Sequence, residues 1–195
     1  MSTWAASPDL RAIADALDPR LRTAFLDDVQ RAHRAPAPVL ADRVVLVGHR
    51  AAGKTRLLPV LARLAGRDGV DLDARVEQDT GRTVRALFRE GEPVFRAHEA
   101  RVFRAITDPV VVAAGGGFFF HHAALLSSCT AVLVPVTFET YRERLLSDAE
   151  RPRLRPQLTL EEEVRAVHAE REAVFARATT VPLASWVASL LRETL

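Results

Sequence analysis

The chain has 195 residues, 48% of them hydrophobic and 27% charged, with a formal net charge of +2. That is room for one α/β domain with a full core plus an appendage, and the positive charges are too dispersed for a nucleic-acid reader. Apolar stretches stay far below the ~20 residues of a membrane span, no secretory leader opens the chain, and the single Cys129 leaves no disulfide framework, so a cytoplasmic protein without nucleic-acid or membrane partners is expected.

Residues 1–42 read as a helical N-terminal extension, set apart from a domain at 43–195. Leu10, Ile13, Ala14 and Leu17 share one helical face, and Asp18-Pro19 breaks that helix. Leu21, Phe25, Val29 and Ala32 mark a second helix, and Arg34-Ala35-Pro36-Ala37-Pro38 an extended connector. Two helices bury little core by themselves. The pair is therefore expected to pack on the main domain or on a second subunit, which leaves monomer and dimer both open.

Val44-Val45-Leu46-Val47 is apolar and β-branched, as in a buried strand. Gly48-His49-Arg50-Ala51-Ala52-Gly53-Lys54-Thr55 follows, a glycine, four residues and Gly-Lys-Thr. Leu57, Leu58, Leu61 and Leu64 then recur at helical spacing. Strand, glycine-rich turn and helix is the context of a phosphate loop, in which backbone N–H groups and a helix N-terminus converge on phosphate oxygens. Lys54 is the chain's one lysine; every other Lys/Arg position is arginine. A compact ammonium on a flexible stem suits a terminal phosphate, and the Thr55 hydroxyl suits Mg²⁺.

Val70-Asp71-Leu72-Asp73 alternates apolar and acidic residues, which at a strand end puts both carboxylates on one side. Beside a phosphate loop the two could hold Mg²⁺ and accept a proton from an attacking hydroxyl. An acidic N-cap, with Asp73 opening a helix, is the competing reading. Helical segments are predicted over 83–88 and 93–106. In the second, Arg96 and Glu99 share a face, either as a held guanidinium or as a solvated surface pair. Arg104, in a similar local sequence, shows that such arginines can be mere surface.

Pro109 to Ala114 reads as a buried parallel strand that ends in Gly115-Gly116-Gly117, where backbone can approach a ligand closely. Phe118-Phe119-Phe120 is expected to pack under the next helix. His121-His122 reads as that helix's opening and not as a zinc site. A further strand is predicted over 131–136, then a helix over 139–146 with Arg142 and Arg144. The charged, proline-punctuated stretch 148–156 reads as a mobile flap. A helix with Arg171 at 158–178, a short strand at 179–182 and a terminal helix complete the chain.

Gly48 to Thr55, Asp71-Leu72-Asp73, Phe95-Arg96 with Glu99, Gly115-Gly116-Gly117, Arg151-Pro152 and Arg171 occur in the order of the shikimate kinase family, which the chain resembles over 43–178. The resemblance implies a parallel β-sheet flanked by helices, a phosphate-loop kinase fold with a mobile lid. It also implies ATP-dependent phosphorylation of the 3-hydroxyl of shikimate with Mg²⁺. Lys54, Asp73 and Arg151 would be catalytic, with Asp73 accepting the proton. Gly48, Ala51, Ala52, Gly53, Lys54, Thr55, Arg56, Arg144 and Arg151 would meet ATP. Asp73, Arg96, Gly115, Gly116, Gly117 and Arg171 would meet shikimate, and Thr55 and Asp71 would hold the metal.

The chain departs from the family pattern in several places. The N-terminal extension has no counterpart in it, and Glu172-Ala173-Val174-Phe175 follows Arg171 where the family often has a proline and a tyrosine. The adenine-side loop near 179–183 is short, and three phenylalanines follow Gly117. A kinase for another hydroxylated acid, such as gluconate, and a non-catalytic nucleotide-binding module are the alternative readings.

Overall fold

In the computed structural model, described for residues 7–148 and 153–193, alternation within the central strand divides the core. Strand β1 (Arg43–Val47) turns Val44 and Leu46 to one face of the sheet and Val45 and Val47 to the other, as the two-residue period requires. All four are buried, so helices cover both faces. The sheet is five-stranded and wholly parallel, in the order β2 (Asp68–Asp71), β3 (Val110–Ala113), β1, β4 (Thr130–Leu133), β5 (Val181–Pro182). Because β1 is flanked by β3 and β4, a crevice opens beyond their C-terminal ends.

One face is covered by α1 (Pro8–Ala16), α2 (Arg22–Ala32), α3 (Lys54–Leu64) and α10 (Leu183–Glu193). Ile13, Leu17, Phe25 and Val29 pack there in the same core as Leu57, Leu61 and Trp186. The N-terminal helices thus share the main core of the chain. The other face is covered by α4 (Leu72–Thr80), α5 (Val84–Glu90), α6 (Glu92–Ala105) and α7 (Phe118–His122). Last come α8 (Phe138–Leu146) and α9 (Leu160–Phe175), which pack on each other through Tyr141, Leu145 and Val164. Thr159 and Glu162 form a reciprocal capping box that starts α9.

Four expectations change. Asp71, not Asp73, caps α4: its side chain accepts from Ala74 N, so the helix starts at Leu72 and Asp73 lies in the first turn. The three phenylalanines are α7 itself, with Phe118 buried and Phe120 exposed. His121 and His122 accordingly close that helix. Strand β4 stops at Leu133; Val134 still donates to Val47 O, but the backbone then turns out toward α8. Of the flap, residues 149–152, Arg151 among them, lie outside the described residues. Its later part is tied down, because buried Glu163 of α9 accepts from Arg153 Nε, Leu154 N and Arg155 N.

Candidate active site

The phosphate loop joins β1 to α3. Its backbone takes two left-handed turns, at Ala51 (φ 58°) and Gly53 (φ 98°), and Gly48 has φ 142°. A side chain at Gly48 would stand 2.6 Å from Val134 O, so the loop leaves β1 against the end of β4 with no room for a Cβ. Lys54 Nζ lies over the loop and donates to Gly48 O (3.0 Å) and His49 O (2.6 Å). Thr55 Oγ1 donates to Asp71 Oδ2 at 2.7 Å, which ties the start of α3 to the end of β2. From α8, Arg144 Nη1 donates to Ala51 O at 2.6 Å.

The loop forms one wall of a cavity of about 750 Å³. Ala51, Ala52, Gly53, Lys54, Thr55, Arg56 and Arg144 line it on this side; Asp73, Arg96, Gly115, Gly116, Gly117 and Arg171 line it on the other. Gly48 and Asp71 stand behind the lining as supports. The predicted site residues within the described stretches therefore come together.

The triple glycine makes the convergence possible. A Cβ on Gly115 would lie 3.0 Å from Glu99 Oε1 and 3.1 Å from Asp73 Oδ1. One on Gly116 would lie 2.6 Å from Arg50 N, and one on Gly117 would strike Arg96 Nη2 and come within 3.1 Å of Arg171 Nη2. Acid pair, phosphate loop and arginine pair thus press on three successive residues of one chain.

Arg96 is a held guanidinium, as one of the two sequence readings had it. Nη1 donates to fully buried Glu99 (2.8 Å), and Nε and Nη2 to Glu92 (3.1 and 2.8 Å), while Phe95 and Phe88 lie beneath the cation. Arg171 is 5% exposed, and its Nη1 has no hydrogen-bond partner among the described residues. Burial, with Arg50 and Arg96 nearby, lowers its pKa to about 10. A buried cation in that position calls for an anion.

Asp73 faces the same space. Burial first, then the Glu99 and Asp71 carboxylates, push its pKa up from 3.8 to about 6 against the pull of Lys54 and Arg96. Its Oδ1 is buried and unpartnered among the described residues. This is a carboxylate poised to take a proton near neutral pH.

Sequence reasoning missed Arg50, Glu77, Arg85 and Phe88, which also line the cavity, and Glu92. Glu92 was legible, since it precedes Arg96 by one helical turn; the others carry no spacing signal. It also missed a cross-link under the loop, where His49 Nε2 meets Glu172 Oε2 at 2.9 Å. The His49 ring stacks on His168 with centroids 4.3 Å apart and planes 7° apart. Ligand atoms of His49, His168 and Glu172 lie within 4.8 Å of one another, but stacked rings direct their lone pairs in parallel planes, not at one ion. Burial, above all, lowers His49 to about 4, so the ring is neutral and bonds the loop to α9 next to Arg171.

A parallel sheet with this crevice and a phosphate loop at the end of β1 defines the phosphate-loop nucleotide-binding class of α/β proteins. The shikimate kinase family model matches residues 50–186, and the chain belongs to that family. The chain is 50% identical over 60 residues to the shikimate kinase of Symbiobacterium thermophilum and 36% over 64 to that of Chlorobium chlorochromatii; each match spans 34% of the relative's length. Among solved structures it is similar to shikimate kinase from Acinetobacter baumannii in complex with shikimate (28% identity, TM-score 0.64, covering 80% of this chain and 93% of that one). It is also similar to the shikimate kinase of Aquifex aeolicus (25% identity, TM-score 0.61, covering 78% and 93%).

Proposed function

We propose that the protein transfers the γ-phosphoryl group of ATP to the 3-hydroxyl of shikimate. The observation that carries this reading is the meeting of Arg96 and Arg171 at Gly117, one of them a buried cation in want of an anion, beside Asp73, whose Oδ1 has no partner among the described residues. A cyclic acid that places its carboxylate on the arginines puts a ring hydroxyl toward Asp73. The Acinetobacter baumannii relative was solved with shikimate, and the same ligand suits this cavity.

Asp73 accepts the hydroxyl proton as the oxygen attacks phosphorus, and the bond to the β-phosphate oxygen breaks to leave ADP. Lys54 and the loop N–H groups bind the phosphate oxygens on which charge develops. The two arginines hold the acid so that its hydroxyl stays in line, which is where most of the catalysis of phosphoryl transfer lies. Arg144 borders the nucleotide from α8, and Arg151, outside the described residues, would supply a cation to the transferring phosphate. Thr55 and Asp71 offer the hard oxygen donors that Mg²⁺ prefers, next to the orphaned Asp73 oxygen. Bound with ATP, that ion would neutralise phosphate charge. No helix of the described residues is long and apolar enough to cross a membrane, and an ATP-dependent enzyme with a lone cysteine suits the cytoplasm.

ADP release measured with shikimate, gluconate and quinate in parallel tests the assignment. Turnover confined to shikimate is expected. Equal or greater turnover with gluconate, or none with any acid, overturns it.

A further inference from the structure

The family match begins at residue 50, yet the phosphate loop is held from outside it. Helix α1 ends at Ala16, whose carbonyl abuts the loop: a Cβ on Gly53 would stand 2.8 Å from Ala16 O. Two residues on, Asp18 is fully buried. Its Oδ1 accepts from Arg20 N (2.9 Å) and Thr140 Oγ1 (2.7 Å), and its Oδ2 from Thr137 N (2.7 Å) and Thr137 Oγ1 (2.6 Å). Burial raises its pKa, but these hydrogen bonds outweigh that and leave it lowered, so the group is an anion. Arg20 then reaches Thr140 Oγ1 and both oxygens of Glu143.

Thr137 is the N-cap of α8, so Asp18 acts as a second, charged cap on that helix, where a negative charge is favoured. Two turns along, α8 presents Arg144, which donates to Ala51 O in the loop. Three consecutive residues of the extension, Ala16 to Asp18, therefore fix both sides of one gap: the end of the phosphate loop and the start of the helix that bears Arg144. An appendage that merely covered the core would need only the apolar face of α1 and α2.

We propose that Asp18 is a positioning residue for nucleotide binding, holding α8 and its Arg144 in register with the phosphate loop. The proposal rests on the nucleotide occupying that loop. It does not depend on which acid is phosphorylated.

Asp18→Asn tests it with little change of shape. In either orientation the new amide NH₂ faces a backbone N–H, of Arg20 or of Thr137, that cannot turn away. ADP affinity, measured by calorimetry without any acid substrate, should fall by about tenfold, the size of one lost hydrogen bond to a charged group. KM for ATP should rise to match, while KM for shikimate stays within about twofold. Val29→Ala hollows the core under α2 without touching the hydrogen bonds of Asp18 and lowers Tm in the manner of a core truncation; it should leave ADP affinity within about twofold. Thr137→Val puts a methyl in place of the hydroxyl, losing its bond to Asp18 Oδ2 and its cap on Thr140 N while keeping the Thr137 N bond to Asp18, and serves if Asp18→Asn fails to fold; it should weaken ADP in the same direction. Unchanged ADP affinity in folded Asp18→Asn, or in Thr137→Val where Asp18→Asn does not fold, overturns the proposal, as does an equal loss in Val29→Ala. If wild type binds no ADP, this proposal and the kinase assignment fall together. If it binds ADP but ignores shikimate, only the substrate assignment falls.

Discussion

Arg96 and Arg171 meet over Gly117 with opposite provisions: Arg96 is neutralised by Glu99 and Glu92, whereas Arg171 is buried and its Nη1 has no partner among the described residues. The first is a fixed fork and the second a cation that only an anionic ligand completes.

Replacing either should therefore damage acid binding in different company. Arg96→Ala takes the guanidinium from buried Glu99 and leaves it with His122 Nε2 at 3.3 Å, so KM for shikimate rises by about one to two decades and Tm falls. Arg171→Met also raises KM by about a decade or more, yet it removes an uncompensated buried charge, so Tm should rise. KM for ATP stays nearly constant in both. Exposed Arg104→Ala is the control and should change little. Steady-state kinetics with thermal melts checks the pattern; a fall in Tm for Arg171→Met would mean that a partner neutralises it in the free enzyme.

Asp73 gives a signature in pH. Its value of about 6 predicts that kcat/KM falls about tenfold per unit below pH 6 as the base is protonated, and levels off above. Because the folded value lies above 3.8, folding favours the protonated form. That stabilisation is complete below pH 3.8 and is lost as pH rises through about 6. Asp73→Asn should cost about 10²-fold in turnover, melt a few degrees above wild type at pH 8, and lose that advantage near pH 4. An unchanged acid limb in a mutant that retains turnover would place the base elsewhere.

Lys54→Met should abolish transfer while the protein stays folded. The ammonium is held by two loop carbonyls, Gly48 O and His49 O, so what the change removes is a cation over the phosphate subsite. Circular dichroism beside the ADP-release assay separates the two effects. Turnover near that of wild type would remove the loop from the mechanism.

Much of this arrangement was legible in the sequence because its parts are local. The strand before the phosphate loop, the Gly-Lys-Thr turn and the Arg96–Glu99 spacing each follow from a period or a backbone constraint within a few residues. Asp71 and Asp73 were found, but the alternative reading of a helix cap fell on Asp73 where Asp71 is the cap, since alternation along a strand and a helix beginning one residue earlier look alike in Val70-Asp71-Leu72-Asp73. What stayed hidden is long-range. Asp18 reads as a helix breaker until the fold brings Thr137 and Thr140 to it, across 119 and 122 residues. His49 meeting Glu172, and Arg50 filling the space left by Gly116, likewise exist only once β1, β3 and α9 are side by side.

The adjacent glycines Gly116 and Gly117 should divide the two substrates between them. Neither needs a left-handed backbone, so an alanine acts here only through the space its methyl takes. At Gly116 the methyl would lie 2.6 Å from Arg50 N and 2.9 Å from Arg50 Cα, backbone atoms of the phosphate loop that can yield only by moving the loop. At Gly117 it would meet the guanidinium ends of Arg96 and Arg171, side-chain ends instead of backbone, and the groups proposed to hold the acid. Gly116→Ala should thus raise KM for ATP and lower kcat, by up to about 10²-fold for a displacement of the order of an ångström. Gly117→Ala should act mainly on KM for shikimate and leave ADP affinity intact. Gly81→Ala, with open space around its Cβ but a φ of 66°, controls for strain away from the cavity: it should lower Tm and leave both KM values unchanged. The three variants, assayed against each substrate in turn, decide the matter. If the Gly116 and Gly117 variants affect both substrates alike, the nucleotide and acid sides of the cavity are not separated at this turn.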